Sequence, residues 1–200
     1  MLEAVDLECE RGGRKLFRAL SFALKDGEAL RVAGPNGSGK TSLLRILCGL
    51  LGPTRGDVRW DGAPIGSLRE EYAAQLVYLG HAAAVKDDLT AAENVAIACR
   101  LTGTPADGVA AALERFGLAP DGPVVRRLSQ GQRRRAALAR LALSTARRLW
   151  LLDEPFSALD AQGVELLKGL CREQLARGGA LVFTTHQDPG IGAERVIELG

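Results

Sequence analysis

Residues 34–41, Gly-Pro-Asn-Gly-Ser-Gly-Lys-Thr, bring an ammonium and a hydroxyl to the end of a glycine-rich turn. The spacing is GxxxxGK[ST], and it lies between the apolar run "EALRVAG" and the helical pattern "KTSLLRILCGLL". Glycines at 34, 37 and 39 let the backbone curl until successive N–H groups point inward. That nest, at the positive end of the following helix, suits phosphate oxygens. Gly34, Pro35, Asn36, Gly37, Ser38, Gly39, Lys40 and Thr41 are therefore candidate phosphate contacts. Lys40 would reach the β- and γ-phosphates of a nucleotide, and the Thr41 hydroxyl would ligate Mg²⁺.

A second chemical element closes the apolar run "LWLLDEP". Asp153 ends a strand buried on both faces, where its carboxylate could hold the same cation. Glu154, on the other side of the pleat, could accept a proton from an attacking water. The chain has only two histidines, and both follow strand-like runs: His81 after "LVYLG" and His186 after "ALVFTT". In open α/β sheets ligands gather beyond the carboxyl ends of the strands, so Gly34, His81, Asp153 and His186 are expected to converge.

The elements that must position these groups follow from periodicity. "LEAVDLECE", "LSFALKDG" and "EALRVAG" read as strands, and Leu43, Leu44, Leu47 and Leu51 mark a helical face. A strand is expected within "GPTRGDVRWDG" and a buried one at "AQLVYLG". From Thr90 the pattern turns helical, with Thr90 as N-cap and Glu93 as its capping-box partner. "SQGQRRRAALARLALS" predicts another helix, its arginines on a solvated face, and a long helix runs from about Asp160 to Ala176 before the last strands. Strands and helices alternating around a helical stretch predict an α/β core, 1–80 and 146–200, with a helical subdomain at about 81–145.

Bulk composition narrows the class. The chain has 200 residues, a formal charge of +2 and no apolar run near the roughly 20 residues needed to cross a bilayer. The charge is too mild to imply a nucleic-acid binder, and it excludes neither an acidic ligand nor an anionic membrane surface. Cys9, Cys48, Cys99 and Cys171 lie far apart without metal-ligand spacing and read as buried thiols. The start lacks the pattern of a signal peptide, which predicts a chain that stays in the cytoplasm.

The phosphate loop, "LSQGQ" at 128–132, "LWLLDEP" at 149–155, "SALD" at 157–160 and His186 occur in an order that resembles the ATP-binding cassette ATPases. The resemblance covers essentially the whole chain, and "LSQGQ" is its most specific part. It implies a phosphate-loop NTPase with a RecA-like core, an N-terminal antiparallel β-subdomain and an inserted helical subdomain carrying the signature. It also implies ATP and Mg²⁺ as cofactors and a head-to-tail homodimer with ATP between one loop and the partner's signature. Ser129 and the Gly131 N–H would then contact the γ-phosphate of the partner's ATP, and Asp160 would cross the interface. Glu154 would act as base and His186 as γ-phosphate switch. Separately encoded membrane subunits at the cytoplasmic face of the bacterial inner membrane are the implied partners, with no direct nucleic acid.

Three positions depart from the family pattern. Arg11 stands where an aromatic residue usually stacks on adenine, with Phe17 as the alternative. Gln130 replaces a glycine of the signature. His81 stands where most cassettes have a glutamine near the metal and the membrane partner, and with "YLGHAAAVKDDLTAAENV" it resembles the ATPase subunit of the bacterial haem exporter of cytochrome c maturation. Export of another small substrate, a soluble cassette acting on nucleic acid or ribosomes, and an interaction module without turnover are the competing readings.

Overall fold

Hydrophobic alternation builds the first sheet, and one irregularity changes its phase. Strand β1 (Leu2–Arg11) buries Leu2 and Ala4, then Leu7 and Cys9, so the buried set switches from even to odd positions. The switch falls where the pairing with β2 (Arg14–Leu24) shifts register, between Ala4 and Leu7. Asp6 takes a positive φ of 48° there, and its N–H donates to Ser21 Oγ at 2.9 Å. Such a bulge lets one strand bury both runs. Strands β3 (Ala29–Ala33), β4 (Arg55–Trp60) and β5 (Ala63–Pro64) follow, and β4 and β5 complete an antiparallel sheet in the order β2-β1-β4-β5.

The computed structural model describes residues 1–185, 189–192 and 194–200. Its second sheet takes β6 (Leu76–Leu79), β7 (Leu149–Leu152), β8 (Ala180–Thr184), β3 and β9 (Glu194–Glu198) in the order β6-β7-β8-β3-β9, all parallel. Strands β7 and β8 are buried at every position, as a parallel sheet covered on both faces requires. Strand β6, expected to be buried, is an edge strand in which only Leu79 is. Helix α1 (Lys40–Leu47) packs on β1 of one sheet and on β7 and β8 of the other, burying Leu43, Leu44, Ile46 and Leu47. Its core therefore joins both sheets in one unit, 1–81, 147–155 and 172–200.

Helix α2 (Ile65–Gln75) has no counterpart in the sequence reading, because Tyr72 is the only residue it buries and no apolar stripe announces it. Tyr72 packs against Trp60 with centroids 5.6 Å apart and ring planes tilted by 54°, and its hydroxyl donates to the Leu47 carbonyl at 2.6 Å, at the C-terminal end of α1. Tyr72→Phe should lower unfolding stability by about 1–2 kcal/mol, since a buried acceptor loses its donor. Burial, with a smaller contribution from Cys48, pushes the Tyr72 phenol far above its usual ionisation. Stability from the neutral phenol is full below the unfolded value of about 10 and lost above it. The wild-type advantage, read from urea midpoints, should therefore shrink in strong alkali.

The second unit comprises 82–146 and 156–171. Helices α3 (Ala91–Leu101) and α4 (Val109–Arg115) pack on α5 (Gln130–Leu143), and α6 (Ala161–Ala176) begins here. The expected Thr90 capping box forms, and a second one, not foreseen, starts α5. Thr90 Oγ1 accepts from Glu93 N at 3.2 Å and Thr90 N donates to Glu93 Oε2 at 2.8 Å. At α5, Gln132 N donates to Ser129 Oγ at 3.2 Å and Ser129 N to Gln132 Oε1 at 2.9 Å.

The arginines of α5 do not form the solvated face the sequence suggested. Arg133 bonds Asp87 at 2.9 Å and the Arg126 carbonyl at 3.0 Å, and Arg134 is only 4% exposed. Burial lowers the Arg140 pKa, with Cys99 opposing. Cysteine burial is also less uniform than expected: Cys9, Cys99 and Cys171 are buried, whereas Cys48 is half-exposed and donates to the Arg45 carbonyl at 3.4 Å. Among the described residues no helix is long and apolar enough to cross a membrane.

Candidate active site

Strands β7, β8 and β3 are neighbours in register, with Leu152 opposite Phe183 and Thr184 opposite Val32, so their carboxyl ends stop level with one another. The chain leaves β3 into the phosphate loop and β7 into Asp153. Gly34 has φ +140°, and a Cβ there would lie 2.2 Å from the Leu199 carbonyl oxygen and 2.8 Å from Ser38 Oγ. No other residue fits. At the other end of the loop Gly39, φ +103°, rests on Leu16 and Phe17, whose atoms would stand 3.0 and 3.2 Å from an added Cβ. Lys40 folds back over the loop, its Nζ donating to the carbonyls of Gly34 at 2.8 Å and Pro35 at 3.1 Å.

Two hydroxyls meet one carboxylate at the end of β7 and β8. Thr41 Oγ1 donates to Asp153 Oδ2 at 2.8 Å, and Thr184 Oγ1 donates to Asp153 Oδ1 at 2.8 Å. Thr184 also accepts from Glu154 N at 2.8 Å, and the Leu79 carbonyl accepts from Asp153 N at 2.8 Å. The Asp153 carboxylate is 1% exposed, its position fixed from both flanks and through its own backbone. Glu154 adopts φ +48°, a left-handed conformation that costs a non-glycine residue about 1–2 kcal/mol. The strain turns the chain sharply and leaves Asp153 buried and Glu154 half-exposed in the same cleft.

That cleft, of about 450 Å³, is bounded by Gly37, Lys40, Thr41, His81, Asp153 and Glu154, with Leu16 as its apolar wall. Loop nitrogens, ammonium, hydroxyl and two carboxylates are thus brought together as the sequence predicts, and the exposed His81 joins them. His186 lies outside the described residues. Ser129, Gly131 and Asp160 belong to the second unit. Neither sequence candidate for an adenine platform reaches this cleft's lining. Phe17 is 9% exposed beneath Gly39, and the Arg11 guanidinium donates to the Gly52 carbonyl at 2.8 Å. Leu16 is the side chain presented there instead.

Sequence reasoning missed Thr184, whose signal was a threonine pair closing an otherwise apolar strand. Strand β6 also carries Tyr78. Burial raises its phenol pKa, a hydrogen bond with Arg45 opposes this, and the nearby Asp153 charge adds to the rise. The donor set of Thr41 and Asp153 is hydroxyl and carboxylate oxygen, which suits a hard divalent cation such as Mg²⁺ and leaves room for phosphate and water ligands.

A loop of this geometry between a parallel strand and a helix, with an acidic pair ending a nearby strand, defines a phosphate-loop nucleoside triphosphatase. A model of the ABC transporter family matches residues 17–157, and the chain belongs to that family. It is 52% identical over 191 residues to the cytochrome c biogenesis ATP-binding export protein CcmA of Nitrosomonas europaea, covering 94% of this chain and 89% of that one. It is 53% identical over 191 residues to the CcmA protein of Aromatoleum aromaticum, with the same coverage. Its fold matches a dimeric ATP-binding cassette solved after hydrolysis with ADP and Pi, at TM-score 0.82 and 25% identity over 100% of this chain and 94% of that one.

Proposed function

We propose that this chain is the ATP-hydrolysing subunit of an exporter serving cytochrome c biogenesis, in the branch that moves haem or releases its haem-loaded chaperone. The observation that carries the reading is the single cleft in which Lys40, Thr41, Asp153 and Glu154 meet at the phosphate loop, in a chain about half identical to the CcmA proteins. The arginines of α5 support this reading over a nucleic-acid one, because they are taken up inside their own unit.

The residues divide the work. Triphosphate oxygens compete for the Lys40 ammonium, which exchanges its bonds to the Gly34 and Pro35 carbonyls for phosphate contacts. Thr41 and Asp153 would hold Mg²⁺, which when bound neutralises charge on the β- and γ-phosphates. Glu154 takes a proton from water as its oxygen attacks the γ-phosphorus, the bond to the β-bridging oxygen breaks, and ADP and phosphate leave. His81 stands at the rim, where it can hydrogen-bond that water. His186 follows Thr184 and Thr185 and is assigned the γ-phosphate switch.

The site is completed in a homodimer. The Ser129 hydroxyl accepts from Gln132 N–H, which leaves its proton for an external acceptor, and the proposed acceptor is the γ-phosphate of a partner's ATP. Gly131 N–H lies in the same first turn of α5. Peripheral attachment to integral membrane subunits at the cytoplasmic face of a bacterial inner membrane follows from the proposed role.

Purification in detergent from cells making cytochrome c tests this directly. Recovery with two integral membrane proteins and ATPase activity dependent on them is expected; recovery with ribosomes or DNA overturns the proposal.

A further inference from the structure

Within the second unit, the face of α5 bearing Gly131 and Arg135, four residues apart, meets the loop 156–160 at two levels. At the upper level a Cβ on Gly131 would stand 3.1 Å from the Ala158 carbonyl oxygen, and Ala158 itself has φ +60°. At the lower level Arg135 Nη2 donates to Asp160 Oδ2 at 2.6 Å. The other Asp160 oxygen, Oδ1, accepts from Gly163 N at 2.9 Å and caps the first turn of α6. Gly117, leaving α4, makes room for the guanidinium, since a Cβ there would lie 3.3 Å from Arg135 Nη1.

We infer that Arg135 is a positioning residue that pins the loop 156–160 to the signature helix, so that Ser129, Gly131 and the loop meet a partner's nucleotide as one rigid piece. The inference rests on the composite site proposed above. It also reassigns Asp160. Both carboxylate oxygens are engaged inside their own unit, so Asp160 acts as the anchor, and the exposed Ser157 and Ala158 are what the loop offers across an interface. The Arg135 side chain is 22% exposed against 53% for Asp160, and buried Arg135 Nε has no acceptor among the described residues. Loss of the carboxylate therefore strands a desolvated cation, and Asp160→Asn should do more harm than Arg135→Gln.

Two measurements test the pin and its consequence separately. In the nucleotide-free chain, Arg135→Gln should speed amide hydrogen exchange at 158–164 by about tenfold, with Arg135→Lys restoring most of the protection. In turnover, Arg135→Gln should lower kcat by about tenfold with KM for ATP within about twofold, and should raise the protein concentration at which ATP-bound dimers form. The Arg135→Gln/Asp160→Asn double variant should be no worse than Asp160→Asn alone. Unchanged exchange, or single effects that multiply in the double variant, would overturn the inference. A wild-type chain that binds ATP but never dimerises would overturn the composite site, and the exchange measurement would still decide whether Arg135 holds the loop.

Discussion

Glu154→Gln should cut ATP turnover by about a thousandfold while leaving ATP affinity within about threefold of wild type. The amide keeps the size of the carboxylate and removes its capacity to take a proton. The backbone of residue 154 has an anchor of its own, since its N–H donates to Thr184 Oγ1 in the turn of φ +48° after β7. Bound but unhydrolysed ATP should then accumulate a closed dimer, visible by gel filtration, because opening follows hydrolysis. Phosphate release at the wild-type rate would remove Glu154 as the base.

Lys40→Ala should weaken ATP binding by about a hundredfold, or about 2.7 kcal/mol. Two losses combine. The ammonium no longer meets the β- and γ-phosphates, and the loop loses the bonds that tie the carbonyls of Gly34 and Pro35 to α1. Titration calorimetry with ATP, ADP and AMP separates them: lost charge should fall most heavily on ATP and spare AMP, whereas a collapsed loop weakens all three. Unchanged affinity for ATP would discredit the assignment of the loop.

Most of the site lies where short-range patterns write it. The phosphate loop, the acidic pair and the Thr90 capping box depend on residues within a few positions of each other, and each stands where the spacing puts it. What escaped the sequence was tertiary. Helix α2 buries one side chain, Tyr72, and so carries no periodicity. The arginines of α5 have the look of a polar surface, and only the fold shows Asp87, Asp160 and Cys99 waiting for them from distant segments. Phe17 carried the chemistry of a stacking platform, but its ring is committed beneath Gly39. Asp160 drew attention as a group for a partner, yet its nearest work is inside its own unit.

The contact between Gly34 and residue 199 bears on how the protein is made. Leu199 N donates to the Ala33 carbonyl at 2.9 Å, continuing the pairing of β9 with β3, and its own carbonyl forms the wall against Gly34. On a ribosome, residue 34 emerges early and residue 199 long after it. Until β9 arrives, β3 is an open sheet edge and the phosphate loop has no backing. Nucleotide can therefore stabilise the protein only once β9 has been made, and an interrupted translation product lacking β9 would leave the phosphate loop without the Leu199 wall.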